Sequence, residues 1–155
     1  MTQYAVTQIA GLKSSANRAI AFLTCDSEAD IDANAEFKKL TSKDEMTIRS
    51  RFDHWIDGGV YKQYFHGWDN EPNRSCFVFK LKENRFYGFL CHPKPKENPS
   101  FLVCVLVCHG IKTRYDTDPK KLTRCNQVRV MPAVIKATGL TFPERKKEGQ
   151  NSWVN

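Results

Sequence analysis

Six side chains in the middle of this sequence are of the types needed to cut a phosphodiester: Lys80, Lys82, Arg85, Tyr87, His92 and His109. Metal-free RNA cleavage requires a group that takes the proton of a 2′-hydroxyl, groups that stabilise added negative charge on phosphate, and a proton for the leaving oxygen. Histidine suits the first and last tasks near neutral pH, and a tyrosine or lysine can serve when neighbouring cations depress its pKa. Lysine and arginine serve the second. Arg85 and Tyr87 are two residues apart, so an extended strand turns both to one face, and the same rule gives Lys80 and Lys82 a shared face one strand earlier. The candidate catalytic set is therefore Arg85, Tyr87, His92 and His109, with Lys80, Lys82, Lys94, Lys112 and Arg114 as phosphate contacts. The plainer alternative is that these are solvated strand positions, with Tyr87 partly buried.

Two other groupings carry possible chemistry. Cys91-His92, then Cys104, Cys108 and His109, invite a zinc reading. The cysteines lie inside an apolar run and form no Cys-x-x-Cys pair, so buried thiols are the better account and no metal site is expected. Tyr61, Tyr64, Phe65, Trp68 and Phe86, beside Lys62 and Arg74, mix rings with cations as single-strand binders do. Against that, aromatic residues mostly build core, and Phe65 and Trp68 are expected to pack on the helix carrying Phe52 and Trp55.

The elements that position these residues follow from periodicity and turn chemistry. Residues 19–25 are apolar and read as a first strand or the end of a helix, and Ser27 with Asp30 has capping-box spacing. Ser42 and Glu45 form a clearer capping box, followed by Ile48, Phe52, Trp55 and Ile56 on one helical face and stopped by Gly58-Gly59. Residues 61–74 read as a loop or short strand. Phe77, Phe79 and Leu81 then alternate with Val78, Lys80 and Lys82, and a tight turn at Glu83-Asn84 leads into a strand over residues 85–91. Prolines 93, 95 and 99 mark a stiff connection, and residues 101–108 are apolar on both faces, as a covered central strand requires. Asp118-Pro119 opens a helix that is expected to end near Val130, before Pro132. The order of helices, antiparallel meander and helix gives an α+β fold.

The chain has 155 residues, enough for one domain, and 41% are hydrophobic, which argues against global disorder. We expect the domain over residues 1–137, including an N-terminal extension, and a polar tail over 138–155. A net charge of +7 favours an acidic partner, either nucleic acid or an acidic protein. No apolar run reaches membrane length and no secretory pattern opens the chain, so a cytoplasmic protein with six reduced cysteines is expected.

The alternating strand from Phe77 through Arg85, Tyr87 and Gly88, the buried strand ending in His109-Gly110-Ile111-Lys112, and the helix carrying Pro119, Leu122 and Arg129 together resemble the RelE/ParE toxin superfamily, closest to its HigB-like, phage-derived branch. The likeness spans roughly residues 40–130. It departs from the branch pattern at Lys121, where glutamate is usual, at Cys125, where a small alanine is usual, and at Ile111 and Thr113. The resemblance implies N-terminal helices packed on a small twisted antiparallel sheet, followed by a C-terminal helix. It also implies the toxin of a type II toxin–antitoxin system, cleaving mRNA on the ribosome without metal or cofactor and neutralised by a cognate antitoxin. Only Arg85 and Tyr87 match the family pattern by position. Two alternatives stand beside it: a non-catalytic toxin directed at a protein target such as gyrase, and a non-toxic basic RNA-binding accessory protein.

Overall fold

The computed structural model describes residues 3–112 and 117–145. The chain runs β1 (Ala5–Gln8), β2 (Arg18–Thr24), α1 (Ala33–Lys38), α2 (Ser42–Ile56), β3 (Phe65–Gly67), β4 (Cys76–Leu81), β5 (Asn84–Cys91), β6 (Leu102–Ile111), α3 (Pro119–Arg129) and α4 (Pro132–Thr141). All six strands form one sheet in the order β1-β2-β6-β5-β4-β3. The α+β class holds, but the expected antiparallel sheet is corrected: β2 runs parallel to β6, Arg18 opposite Leu102 and Phe22 opposite Leu106. Pairing between strands so far apart in sequence leaves no local trace in either one.

Period two in the strands sorts the side chains into two cores. On one face Phe37 of α1 and Ile48, Phe52 and Trp55 of α2 meet Phe22, Phe77, Phe79 and Phe86. The rings pack in edge-to-face, tilted and stacked pairs, Phe52 and Phe79 edge to face at 4.9 Å, and each such pair adds on the order of 1 kcal/mol beyond area burial. On the other face Leu122, Cys125 and Val128 of α3, and Val134 of α4, pack on Val78, Tyr87, Val103, Val105 and Val107. β6 is thus covered on both sides, which explains why residues 103–107 are all buried and apolar.

Several local signals are realised differently from what the sequence suggests. The side chain of Thr41, not Ser42, caps α2 by accepting from the Asp44 amide, and Gly58 at φ +93° closes its C-terminus. The spacing at Ser27 and Asp30 makes turns, and the short helix α1 begins at Ala33. A bulge between Tyr87 and Gly88 brings β5 so close to β6 that a Cβ on Gly88 would lie 2.2 Å from the Val105 carbonyl oxygen. α3 ends at Arg129 with Val130 as its C-cap, before Pro132 as expected, but Pro132 also opens α4, where its missing N–H suits the first turn, and packing continues through Phe142, 5.8 Å from Phe101. Among the described residues, no helix is long and apolar enough to cross a membrane.

Candidate nucleic-acid interface

The eight expected site residues among the described ones do not come together in one site. At the end of the sheet where β4 turns into β5, Arg85 and Tyr87 share the α3 face, as their spacing requires. Both are buried, at 6% and 2% exposure. The Arg85 guanidinium donates to the carbonyls of Lys82 at 2.7 Å and Asn84 at 3.0 Å, so it braces the turn. The Tyr87 hydroxyl accepts from the Asp118 amide at 3.2 Å, fixing the entry to α3. Burial raises the Tyr87 pKa, which makes it a poor base.

His109 lies across the sheet from this pair. It faces α1, its ring 5.0 Å from Phe86, because Tyr87 is registered on Cys108 and Phe86 on His109. The His109 backbone N–H donates to Asp32 Oδ1 at 2.8 Å, beyond the last residue of β6 that β2 pairs. Nε2 lies 2.7 Å from Asn84 Oδ1, and Nδ1 lies 3.9 Å from Glu36 Oε1. Where Nε2–H donates to Asn84, the lone pair is on Nδ1, toward the carboxylate. Burial lowers the His109 pKa; the carboxylates of Glu36 and Asp32 oppose that shift, and the charges of Lys121 and Lys39 add to it. A hydrogen bond from Lys39 Nζ, at 2.8 Å, in turn holds the Glu36 carboxyl below its ordinary range.

Cations ring this end of the sheet. Lys121 of α3 reaches over Gly110, where a Cβ would lie 3.6 Å from its Cε and 3.4 Å from the Tyr87 ring. Lys112 continues from β6, exposed, its backbone N–H donating to the Glu83 carbonyl. The expected common face for Lys80 and Lys82 is corrected. Lys82 takes φ +52° in the turn, and its ammonium crosses to Asp44 of α2 at 3.0 Å. Lys80 instead reaches the edge of the sheet, donating to the Lys62 carbonyl at 2.8 Å.

His92 and Lys94 belong to the opposite end. Seven residues of strand separate His92 from Arg85, about 23 Å at ordinary strand rise. His92 Nδ1 sits 3.1 Å from the Phe101 carbonyl, and Lys94 lies over the Phe101 ring and 3.8 Å from Glu97. Neither can serve the phosphate that His109 or Arg85 would meet. Arg114 falls outside the described residues.

The cysteines are core thiols. Cys76, Cys108 and Cys125 sit together behind Tyr87, and burial pushes Cys76 up to about 11 and the half-buried Cys91 up to about 12. Among the described residues, no three His, Cys, Asp or Glu side chains are grouped so as to hold a metal ion. The aromatic set divides as well. Phe65 and Phe86 are core, whereas Tyr61 and Trp68 line a cleft of about 390 Å³ at the β3 edge. The residues that sequence reasoning missed are Asp32, Glu36, Asn84 and Lys121, because each acts only through contacts made by folding.

Compared with known proteins, the chain matches no family model, no curated protein and no solved structure.

Proposed function

We propose that this chain binds single-stranded RNA and cleaves it without a metal, as the toxin of a type II toxin–antitoxin pair that acts on mRNA at the ribosome and is restrained by an acidic antitoxin. The observation that carries the reading is His109: a histidine kept neutral by burial, with one ring nitrogen fixed on Asn84, the other facing Glu36, and Lys39 and Lys121 close enough to bias its charge. A neutral imidazole can accept a proton at neutral pH, and the carboxylate beside it steadies the imidazolium that forms. In this role Nδ1 takes the proton of a 2′-hydroxyl, whose oxygen attacks the adjacent phosphorus. The bond to the 5′-oxygen breaks, a 2′,3′-cyclic phosphate forms, and the leaving oxygen takes a proton from solvent. Lys39, which sits beside Glu36 on the same face as His109, offsets the charge that builds on the phosphate. Arg85 and Tyr87 shape the sheet end from beneath rather than meeting RNA directly.

A second reading has an observation of its own. Arg85 and Tyr87 are buried and already bonded, and His92 is remote, which suits an RNA binder without cleavage. Labelled RNA, free and on programmed ribosomes, separates the two. Cleavage predicts cyclic-phosphate ends, insensitivity to chelators, and a loss of roughly 100-fold or more in His109→Gln, as acid–base groups usually contribute. Tight binding with intact RNA supports the second reading. A chain that arrests growth but neither binds nor cuts RNA contradicts both and points to a protein target.

A further inference from the structure

The cleft at the β3 edge has features that the chemistry at His109 does not use. It opens between the C-terminal end of α2 and the start of β4, and encloses about 390 Å³. Phe77 and Trp55 form its floor and are almost fully buried, at 8% and 3% exposure. The Arg18 guanidinium lies 4.8 Å over the Trp55 ring and donates to the Trp55 carbonyl at 2.7 Å, so this wall is rigid and cationic. Half-buried His66 and Trp68, their rings 4.8 Å apart, line the cleft where it wraps the β3 edge, Trp68 resting against the α3-side core, and Tyr61, 43% exposed, lines it on the α2 side. Tyr61 is held edge to face on Tyr64 at 4.4 Å, and Tyr64 carries the Arg51 guanidinium at 4.3 Å. Exposed Lys62 and Arg74 close the rim with Asp69, and Arg74 lies 4.0 Å from Glu71, so the rim carries more positive than negative charge.

Preformed ring faces inside a cationic rim recognise a flat aromatic group attached to an anion. That is the chemistry of an unpaired nucleotide, whose base stacks while its phosphate meets lysine or arginine. A folded acidic protein would use the cations but leave the enclosed rings unfilled. A duplex cannot enter, since its bases are already stacked on each other. Lys80, whose ammonium donates to the Lys62 carbonyl, leads from this cleft along the sheet edge toward the basic end. Leu90 lines the cleft and Asn84 is six residues back along β5, so the cleft and His109's partner are about 20 Å apart.

We infer that the cleft seats one unpaired base of a single-stranded RNA, several nucleotides from the phosphate at His109, with Tyr61 and Trp68 stacking and Lys62 and Arg74 on the flanking phosphates. This rests on the RNA-cleaving reading and adds a subsite to it. A remote subsite of this kind raises affinity without entering the chemical step.

The test uses an eight-nucleotide unpaired RNA and the full chain carrying fluorotryptophan, with fluorine resonances assigned by substitution. RNA should shift the Trp68 resonance. Tyr61→Ala, at an exposed position, should weaken binding about 5- to 150-fold, in line with the usual worth of one stacked base. Its single-turnover rate at saturating RNA should equal wild type, whereas His109→Gln should bind normally and cleave slowly. Wild-type affinity in both Tyr61→Ala and Lys62→Ala, or an unmoved Trp68 resonance in a chain that still binds and cuts RNA, overturns the subsite and leaves the cleavage reading standing. Failure of wild type to bind any unpaired RNA overturns both. A Tyr61→Ala variant that binds normally but cleaves slowly also overturns the assignment, because it would move Tyr61 into the reaction itself.

Discussion

The two ends of the sheet solve opposite problems. At the His109 end the polar groups are largely withdrawn from solvent and bonded: half-buried His109 through Nε2 to Asn84, Arg85 to two carbonyls, Tyr87 to the Asp118 amide. At the cleft end the cations of Lys62 and Arg74 stand in solvent, and the rings of Tyr61 and Trp68 retain accessible faces. Buried polar groups hold one geometry, and removing one partner leaves another unsatisfied, so a change there costs stability as well as activity. Open rings and cations are cheap to change and act mainly on affinity. The difference teaches where a lost activity would report chemistry and where it would report binding.

The largest effect expected is at the floor of the cleft. Trp55, packed on Phe77 at 5.5 Å and almost fully buried, should cost on the order of 3–5 kcal/mol when changed to Ala, measured by urea unfolding. An unchanged midpoint would mean that the cleft has no rigid floor, and the contrast with the other end would fail. Next comes Arg85→Met at the basic end. Its two charged hydrogen bonds hold the turn, so roughly 2–3 kcal/mol should be lost. A stable Arg85→Met chain that has lost all cleavage would instead make Arg85 a direct phosphate contact.

Protonation sharpens the contrast at intermediate size. His109 is the group whose pKa burial lowers, so the unfolded chain binds the proton more readily than the folded one. Its contribution is therefore complete above the ordinary histidine value of about 6.5 and is lost as pH falls from there toward the lowered folded value. Unfolding midpoints of wild type should drop across that window more than those of His109→Gln. Parallel curves would mean that His109 is not held neutral. The smallest effect is that of Tyr87→Phe, which removes one hydroxyl and should cost about 1 kcal/mol, seen as faster amide exchange at Asp118 and in the first turn of α3. Unchanged exchange there would detach Tyr87 from that role.

Much of this architecture was legible where one segment carries its own signal. The unbroken apolar run of β6 requires cover on both faces, and Asp118-Pro119 starts α3, its carboxylate accepting from the Lys120 amide. The parallel pairing of β2 with β6 was not legible, since it joins residues some eighty positions apart through backbone bonds that any sequence can make. α4 was hidden by Pro132, which breaks a helix in its interior but suits its first turn. The candidate site was legible by residue type rather than by position. His109 was found, but Asp32 reaches it from 77 residues away, and only folding reveals which of four histidine and arginine candidates meet. Alternation correctly put Arg85 and Tyr87 on one face, while the left-handed turn at Lys82 broke the same rule for its ammonium.

The central claim, that His109 takes the proton in an RNA-cleaving step, is tested most directly by the pH dependence of single-turnover cleavage in wild type and His109→Gln. A neutral base with a lowered pKa predicts a wild-type rate that rises tenfold per pH unit in mild acid and levels off below the ordinary histidine value of about 6.5, with the low residual rate of His109→Gln lacking that inflection. An inflection that survives in His109→Gln, or a wild-type rate that is flat with pH, would contradict the account.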